Sequence, residues 1–290
     1  MAAWQVLDLL NFEGKVRTER GAFSIEGRRV PLDSLSTALI GPKCAISPGV
    51  PHHAAKHDVV VLFCDWRGQP LSALMPWSDN TRTGARMQAQ AALSEPRRKN
   101  AWMRVIKAKI ASQGKTLEMA GNVAEAKRLY EMSRKVRSGD PENLEGQAAR
   151  LFWSGLYGHL NFTRIPGAND ALNAAHNYGY TILRGRVLTS ILGAGLTAGI
   201  GIFHRGRSNP FALADDLIEP FRAVIDRAIL AFDPRELLLD QQTKKALIHA
   251  VRPPDSSEEG FRADAEIDRF TSAFAQYVEG GAEYLDVPKV

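Results

Sequence analysis

The periodicity of the chain changes near residue 80, and this change is the strongest constraint on its fold. Upstream, short apolar runs separated by Gly and Pro are typical of strands, as in Asp58–Asp65. The segment Phe23–Pro31, with Glu26-Gly27 in its middle, predicts a hairpin. Downstream, apolar residues recur at helical spacing over about 200 residues, which indicates a long helical region.

We therefore predict an α+β protein of two domains, which a chain of 290 residues can accommodate. A small N-terminal β domain covers residues 1–78, a linker covers 79–85, and a larger all-α domain covers 86–290. Asp140 is the predicted N-cap of a helix that has Pro141 at its first position. The predicted helices cover 84–115, 117–137, 142–160, 170–183 and 211–231, and 252–260 is a predicted polar loop.

The segment Val187–Phe203 is uncharged over 17 residues. It is shorter than the roughly 18–20 apolar residues that span a membrane, and it carries four glycines. We read it as a buried helix that runs into a glycine turn, in preference to a membrane helix. The N-terminus has no basic and apolar regions typical of a secretory signal. The expected location is therefore the cytosol, with no membrane partner.

Positive charge is concentrated in residues 81–137, which hold 14 basic and 4 acidic side chains, whereas the whole chain has a net charge of +5. Such a block is a plausible contact surface for a polyanion such as nucleic acid. The alternative is an ordinary solvated helical face. The block includes Arg82, Arg86, Arg97, Arg98, Lys99, Arg104, Lys107, Lys109 and Lys115.

Several common classes of site are excluded or disfavoured. Cys44 and Cys64 are the only cysteines, and their separation fits neither a disulfide framework nor a cysteine zinc module. No nucleotide-binding P-loop, zinc-protease, nucleophile-elbow or EF-hand motif is present. The cluster of His52, His53 and His57 lacks other ligands at suitable spacing, so a helix start or a core position is favoured over a metal site.

A histidine and a group of acids remain as candidates for chemistry. His204 precedes Asp215, Asp216 and Glu219, which share one face if a single helix covers them. Glu145 is a further acid near a predicted helix start, where the helix dipole favours a carboxylate in any case. The acids could simply form the wet side of an amphipathic helix, opposite the apolar residues Leu217, Phe221, Val224 and Ala228.

The other interpretation is a metal site. Carboxylates suit hard cations such as Mg²⁺, and Mn²⁺ also accepts an imidazole. A metal beside a basic surface would allow chemistry on a phosphodiester. Composition and spacing permit such a nucleic-acid enzyme without establishing it. Pro220 removes one backbone hydrogen bond and is expected to kink the helix that carries Glu219.

At these residues the chain resembles the CRISPR-associated adaptation integrases, the Cas1 family. The match runs in order along essentially the whole chain, and its β-domain part is similar to members from type II systems, in particular type II-C. The matching segments are Leu39–Cys44 with Val59–Trp66, Glu145–Trp153 (Glu-Gly-Gln-Ala-Ala-Arg-Leu-Phe-Trp), Asp170–Asn173 with Tyr178–Leu183, and His204 with Asn209–Arg222.

The resemblance implies a metal-dependent DNA endonuclease and integrase. It implies that Glu145, His204 and Glu219 bind Mg²⁺ or Mn²⁺, and that Asp216 lies near the metal as a further catalytic residue. Asp215 is the less certain neighbour. The residues expected to contact DNA phosphates are Arg150 and Arg164, together with Arg97, Arg98 and Lys107 of the basic block.

The resemblance also implies partners and a reaction. The β domain would form a homodimer, and two dimers would flank the small companion protein Cas2. The complex would capture a short duplex of foreign DNA and join its 3′-hydroxyls to a CRISPR repeat by two transesterifications. The RNA-guided effector is a further candidate partner.

Two alternatives stay open. One is a metal-dependent nuclease that cuts DNA without joining it. The other is a non-catalytic nucleic-acid-binding subunit.

Overall fold

The fold is that of a computed structural model, which describes residues 5–66, 70–76, 82–251 and 261–290. Within these ranges the predicted α+β order is confirmed, since strands precede a mostly helical region. The predicted loop at 252–260 and residues 79–81 of the predicted linker lie outside the described residues. The division into two domains at 79–85 stays a prediction.

Two four-stranded sheets make up the N-terminal region. The first has the order β1-β5-β7-β8, parallel except for the last pair, and the second has the order β4-β3-β2-β6. The predicted hairpin is confirmed as the antiparallel pair β3 and β4. The strands are β1 Gln5–Leu9, β2 Gly14–Glu19, β3 Ala22–Ile25, β4 Arg28–Pro31, β5 Leu35–Ile40, β6 Cys44–Ile46, β7 Val60–Cys64 and β8 Pro70–Leu74.

The strand β7 is buried on both faces, as its apolar sequence predicts. Because side chains alternate along a strand, Val61 packs in a core between the sheets while Val60 and Leu62 pack in the core of the helices. Leu39 of β5 belongs to the helical core in the same way. The first sheet is therefore shared between both cores.

The five predicted helical segments contain helices, with different ends, and two further helices follow residue 240. A short helix, α1, precedes β7, and His57 at its end contacts Asp33 at 2.6 Å (Nδ1 to Oδ1). The helices are α1 Gly49–Lys56, α2 Thr83–Ala92, α3 Glu95–Met119, α4 Val123–Lys135, α5 Leu144–Tyr157, α6 Ala171–Gly193, α7 Ala212–Leu217, α8 Arg222–Ile229, α9 Gln241–Val251 and α10 Ala263–Val278.

Three predictions about the helices are wrong. The predicted helix 84–115 is two helices, α2 and α3, because the backbone between them is extended. The N-cap of α5 is Asn143, not Asp140, because the chain turns through left-handed conformations at both residues before the helix begins. The predicted helix 211–231 is divided, since Pro220 lies in a 3₁₀ turn, Glu219–Phe221, between α7 and α8. The break is the physical consequence of the amide hydrogen that proline lacks.

The longest apolar stretch belongs to α6, which ends at Gly193 and is followed by turns. The predicted buried helix is thus confirmed, although it starts far upstream of Val187 and includes charged residues. No helix among the described ranges is long and apolar enough to cross a membrane.

The helix α6 packs on the first sheet, and Gly185 permits the close approach. A Cβ at Gly185 would lie 2.8 Å from Thr37 Cγ2 of β5. At the same interface Tyr178 donates a hydrogen bond to Asp8 of β1 at 3.0 Å, and Lys244 of α9 pairs with Asp8 at 2.8 Å. These contacts fix α6 relative to the sheet.

A buried polar group joins α6 to α8. Tyr180 donates a 2.5 Å hydrogen bond to Asp226 Oδ1, and burial raises the pKa of Asp226 to about 7. His176 lies 3.6 Å from the same oxygen, but burial lowers its pKa to about 3, so the pair is not an ion pair at neutral pH. His176 Nδ1 donates to Leu172 O at 2.8 Å, which leaves Nε2 without a hydrogen-bond partner.

Gly185→Ala tests the helix–sheet contact. Thr37 is fully buried and β-branched, so it has few rotamers with which to yield. We expect the free energy of unfolding to fall by about 1–3 kcal/mol from overpacking. In the control Gly193→Ala, the new methyl meets no atom within 4 Å, so stability should be unchanged or slightly higher. Urea unfolding measures both, and a Gly185→Ala protein as stable as wild type would contradict the packing.

Asp226→Asn tests the buried carboxyl through pH. The pKa of Asp226 rises from 3.8 to about 7 on folding, so the folded protein holds a proton that the unfolded chain releases. Ionisation of Asp226 therefore lowers the free energy of unfolding of the wild type as pH rises between these two pKa values. Asparagine does not ionise, so the stability of the variant relative to wild type should increase from about pH 4 to about pH 7. Denaturant unfolding across that range gives the difference, which should not be constant.

Candidate functional site

Glu145 lies in the first turn of α5, where other side chains already satisfy the helix amides. Asp140 accepts hydrogen bonds from Leu144 N and Glu145 N at 2.9 Å, and Asn143 Oδ1 accepts from Gly146 N at 3.1 Å. The Glu145 carboxylate is thus not needed as a cap and points to other partners.

Lys109, from the middle of α3, lies between Glu145 and Glu219. Its Nζ is 2.6 Å from Glu145 Oε1 and 2.6 Å from Glu219 Oε2. The contact with Glu145 is a hydrogen bond, and the contact with Glu219 is an ion pair of the same length. Arg222 Nε donates to Glu219 Oε1 at 2.9 Å, so the two oxygens of Glu219 face different cations.

These ion pairs keep a buried carboxylate charged. Burial favours the neutral form of Glu219, but the Arg222 and Lys109 cations outweigh it and hold its pKa at about 2. Burial likewise opposes the charge of Lys109, but the carboxylates of Glu219 and Glu145 raise its pKa. The cluster therefore pairs two carboxylates with two cations.

His204 lies in the loop between α6 and α7 and is held by Asp216 of α7. The His204 Nδ1 is 2.7 Å from Asp216 Oδ1, and this hydrogen bond raises the pKa of His204. Asp216 also accepts from the amides of Ile202, Phe203 and His204, at 2.5, 3.0 and 3.2 Å. The carboxylate thus orients the imidazole through Nδ1, which leaves Nε2 as the nitrogen that can bind a ligand.

Two further contacts fix this loop. Trp102 of α3 stacks on Phe203 with ring centroids 4.4 Å apart and meets the His204 ring edge-on at 6.0 Å. At Gly201, a Cβ would lie 2.4 Å from His204 O and 2.7 Å from Asp216 Oδ2. Only glycine fits there, because both atoms belong to a backbone or a buried carboxylate that cannot retreat.

The interpretation of the acids as the wet side of an amphipathic helix is wrong. Asp216 is 0% exposed and Glu219 is 5% exposed. They do not share a helical face, because α7 ends at Leu217, and each acid has a different cationic partner. Asp215 pairs with Arg184 and accepts from Asn209 Nδ2 at 2.8 Å.

A polar cleft opens beside Glu219 and His204, and arginines form much of its wall. Arg164 donates to Asn173 at 2.9 Å and to Asn177 at 2.7 Å. The Arg222 guanidinium lies over the Tyr180 ring at 4.6 Å. The cleft thus combines fixed positive charge with the carboxylates and imidazole, a combination suited to a phosphate group. Its lining includes Arg164, Asn177, Tyr180, Arg184, Asp215 and Arg222.

Part of the basic block is used inside the protein. Arg97 donates to Tyr277 O at 2.5 Å and Ala282 O at 3.0 Å, and Arg98 donates to Gln90 O at 3.3 Å near the end of α2. Their phosphate contacts stay a prediction, and a charge reversal at either residue would also disturb packing. Lys107 is half-buried and Arg150 is exposed.

Glu145 and Glu219 meet at Lys109, and Glu219 and His204 line one cleft, but the three predicted metal ligands do not close a site. In the described ranges, no three His, Cys, Asp or Glu side chains are arranged to hold one metal ion. The residues nevertheless fit a hard divalent cation. Glu145 and Glu219 already share one cation, Glu219 Oε2 is a buried oxygen directed at that cation, and Asp216 binds His204 through Nδ1 and not through Nε2.

The role of Lys109 was missed at the sequence level, although the residue belongs to the basic block. The signal was its position, because Lys109 lies seven residues after the buried Trp102, on the apolar face of α3. A lone lysine on such a face predicts a buried anionic partner. Arg184 was also missed; it lies in the long helix α6 outside any quoted motif.

Comparison with known proteins identifies the family. Residues 11–250 match the family described as CRISPR associated protein Cas1. The chain is similar to the CRISPR-associated endonuclease Cas1 of Neisseria meningitidis serogroup C (strain 8013), with 33% identity over 297 residues. That match covers 99% of this chain and 96% of the relative.

Solved structures have the same fold. A casposase bound to an integration product superposes with a TM-score of 0.74 and 19% identity, covering 98% of this chain and 92% of that one. A Cas6-RT-Cas1–Cas2 complex has a TM-score of 0.77 and 17% identity, covering 98% of this chain and 36% of that chain. The predicted family and fold class are confirmed: this chain belongs to the CRISPR-associated Cas1 family.

Proposed function

We propose that the chain is a metal-dependent DNA endonuclease and integrase that inserts short foreign duplexes into a CRISPR repeat during adaptation. The observation that carries the proposal is the convergence of Glu145 and Glu219 on one cation beside a cleft lined by arginines and His204. Membership of the Cas1 family supports it, as does the likeness to a casposase bound to its integration product.

The proposed metal is Mg²⁺ or Mn²⁺, held by Glu145, Glu219 and His204. When bound, such an ion would stabilise negative charge on the attacked phosphate. The surrounding residues prepare the site. Arg222 holds one Glu219 oxygen, and Asp216 orients the imidazole of His204. Asp216 is thus proposed as a positioning residue, since its buried oxygens are occupied by the loop amides and by His204 Nδ1.

The substrate is proposed to bind through its phosphates. Arg164 and Arg184 are held in fixed positions by Asn173 and Asp215, so their side chains lose little conformational entropy when a phosphate enters the cleft. Joining requires the 3′-hydroxyl and the repeat phosphate to be held in line, and fixed cationic walls favour that arrangement. We therefore assign the cleft to the reacting phosphodiester.

The partners are proposed from the family and its relatives. A structural neighbour is a complex that contains Cas2, which supports a companion Cas2 for this chain. We further propose a homodimer through the β domain and a type II-C system, where the RNA-guided effector is another candidate partner. The identity with the Neisseria relative supports the system type. Because the proposed target is the CRISPR array, the reaction would take place in the prokaryotic cytosol.

Glu145→Gln and Glu219→Gln test the proposed site. Joining of a 3′-hydroxyl duplex to a repeat plasmid, measured with Cas2 and Mn²⁺, should fall about 100-fold or more. DNA binding should persist because the arginines remain. The control Glu142→Gln alters an exposed acid near the start of α5 that pairs with Arg137, and it should leave joining unchanged.

The same assay separates the alternative functions. Metal-dependent cutting by the wild type with no joined product would support a nuclease that does not integrate. Binding without cutting or joining by the wild type, with Cas2 and Mn²⁺ present, would support a non-catalytic subunit.

Arg150→Ala tests the DNA surface. Arg150 is exposed on α5, the helix that carries Glu145. Loss of one phosphate contact should weaken duplex binding and reduce the slope of log K against log salt by about one. The control Lys43→Ala removes an exposed lysine that pairs with Glu13 in the N-terminal sheets. Fluorescence anisotropy at several salt concentrations measures both slopes, and equal slopes would remove Arg150 from the DNA surface.

A further inference from the structure

The ammonium of Lys109 lies where two carboxylates from distant parts of the chain meet. It is 2.6 Å from an oxygen of Glu145 and 2.6 Å from an oxygen of Glu219. Its side chain is only 12% exposed. The apolar stem of Lys109 thus packs along α3, and its ammonium ends between two acids.

The charge of the cluster explains why a cation is needed there. Glu219 is buried and ionised, and Glu145, whose side chain is 25% exposed, meets the same ammonium. Two carboxylates directed at one point repel each other unless a cation lies between them. With Lys109 and Arg222 present, the charges of the cluster balance. A divalent ion added to the same oxygens would bring the cluster to a net charge of about +2, and withdrawal of one cation would halve that excess.

Lys109 is the cation that can withdraw. Arg222 is held by Glu219 and also lies over the Tyr180 ring, whereas the Lys109 ammonium is held by the two carboxylates that a metal would itself bind. Its stem of four carbons rotates easily, and an ammonium is a point charge without a fixed binding plane. The more flexible cation, which competes with the metal for the same oxygens, is therefore the one that exchanges.

We propose that Lys109 is an internal counter-ion of the metal site: its ammonium bridges Glu145 and Glu219 without metal, and metal binding displaces it. This inference rests on the proposed metal site at those two carboxylates. Lys109 thereby keeps the acids at a fixed separation before the metal arrives, and it sets the affinity with which the metal is bound.

Lys109→Met tests the exchange, because methionine keeps an unbranched stem and removes the charge. Mn²⁺ binding is measured by the loss of the free-ion signal in electron paramagnetic resonance, on the full chain without DNA. We expect the variant to bind Mn²⁺ about tenfold more tightly than wild type, because no ammonium competes. The control Lys43→Met changes an exposed lysine that pairs with Glu13, far along the chain from the cluster, and should bind as wild type does.

A second measurement needs no variant and applies if Lys109→Met does not fold. Reductive methylation of wild-type lysines, followed by mass spectrometry, should label Lys109 slowly in EDTA and at least about threefold faster in saturating Mn²⁺. Other lysines should be labelled equally in both conditions.

The outcomes separate the two proposals. Mn²⁺ binding by wild type that is lost in Glu219→Gln, with no tighter binding by Lys109→Met, would overturn the counter-ion role alone. Unchanged labelling of Lys109 on Mn²⁺ binding would do the same. Absence of Mn²⁺ binding by wild type would overturn both the metal site and the counter-ion.

Discussion

The compensation of buried charge at Glu219 is the interaction on which the rest of the site depends. A carboxylate that is 5% exposed is stable in its ionised form only because Lys109 and Arg222 lie against it. These cations come from α3 and α8, and Lys109 also reaches Glu145 of α5. Ion pairs thus connect α3, α5 and α8 at one point, and the apolar faces of these helices pack in the core behind it.

The helix α6 connects this point to the N-terminal sheets. Gly185 of α6 packs against β5, while Tyr180 and Arg184 of the same helix line the cleft. The first sheet contributes Leu39, Val60 and Leu62 to the helical core. The N-terminal sheets therefore pack on the helix that carries part of the cleft wall. A change in the position of the sheets would move α6 and with it Tyr180 and Arg184.

Much of the fold was predictable because its signals are local. The hairpin at Phe23–Pro31, the buried strand at β7 and the long helices follow from periodicity within short windows. The exact helix ends were less accessible, since Asp140 and Asn143 adopt left-handed turns that depend on which amides they cap. The kink at Pro220 was expected, but its 3₁₀ turn and the burial that it gives Glu219 were not.

The site was predictable in part. The family resemblance predicted that Glu145, His204, Asp216 and Glu219 belong to one site. In the structure Glu145 and Glu219 meet at Lys109, and His204, held by Asp216, lines the same cleft as Glu219. The spacing of Asp215, Asp216 and Glu219 suggested a shared exposed face. That prediction is wrong because tertiary packing, and not position around a helix, decides which side chains are buried. Partners such as Lys109, 36 residues before Glu145, are invisible to spacing since their contacts are formed by folding.

The contacts of Asp216 have a consequence for any redesign of this pocket. One carboxylate fixes both the imidazole of His204 and the backbone amides that precede it, and a Cβ at Gly201 would clash with that carboxylate and with His204 O. The orientation of the His204 ring and the conformation of the loop therefore cannot be changed independently. A designer who wishes to place a different ligand-binding side chain at position 204 would have to rebuild the loop from Gly201 onward together with its anchor on α7.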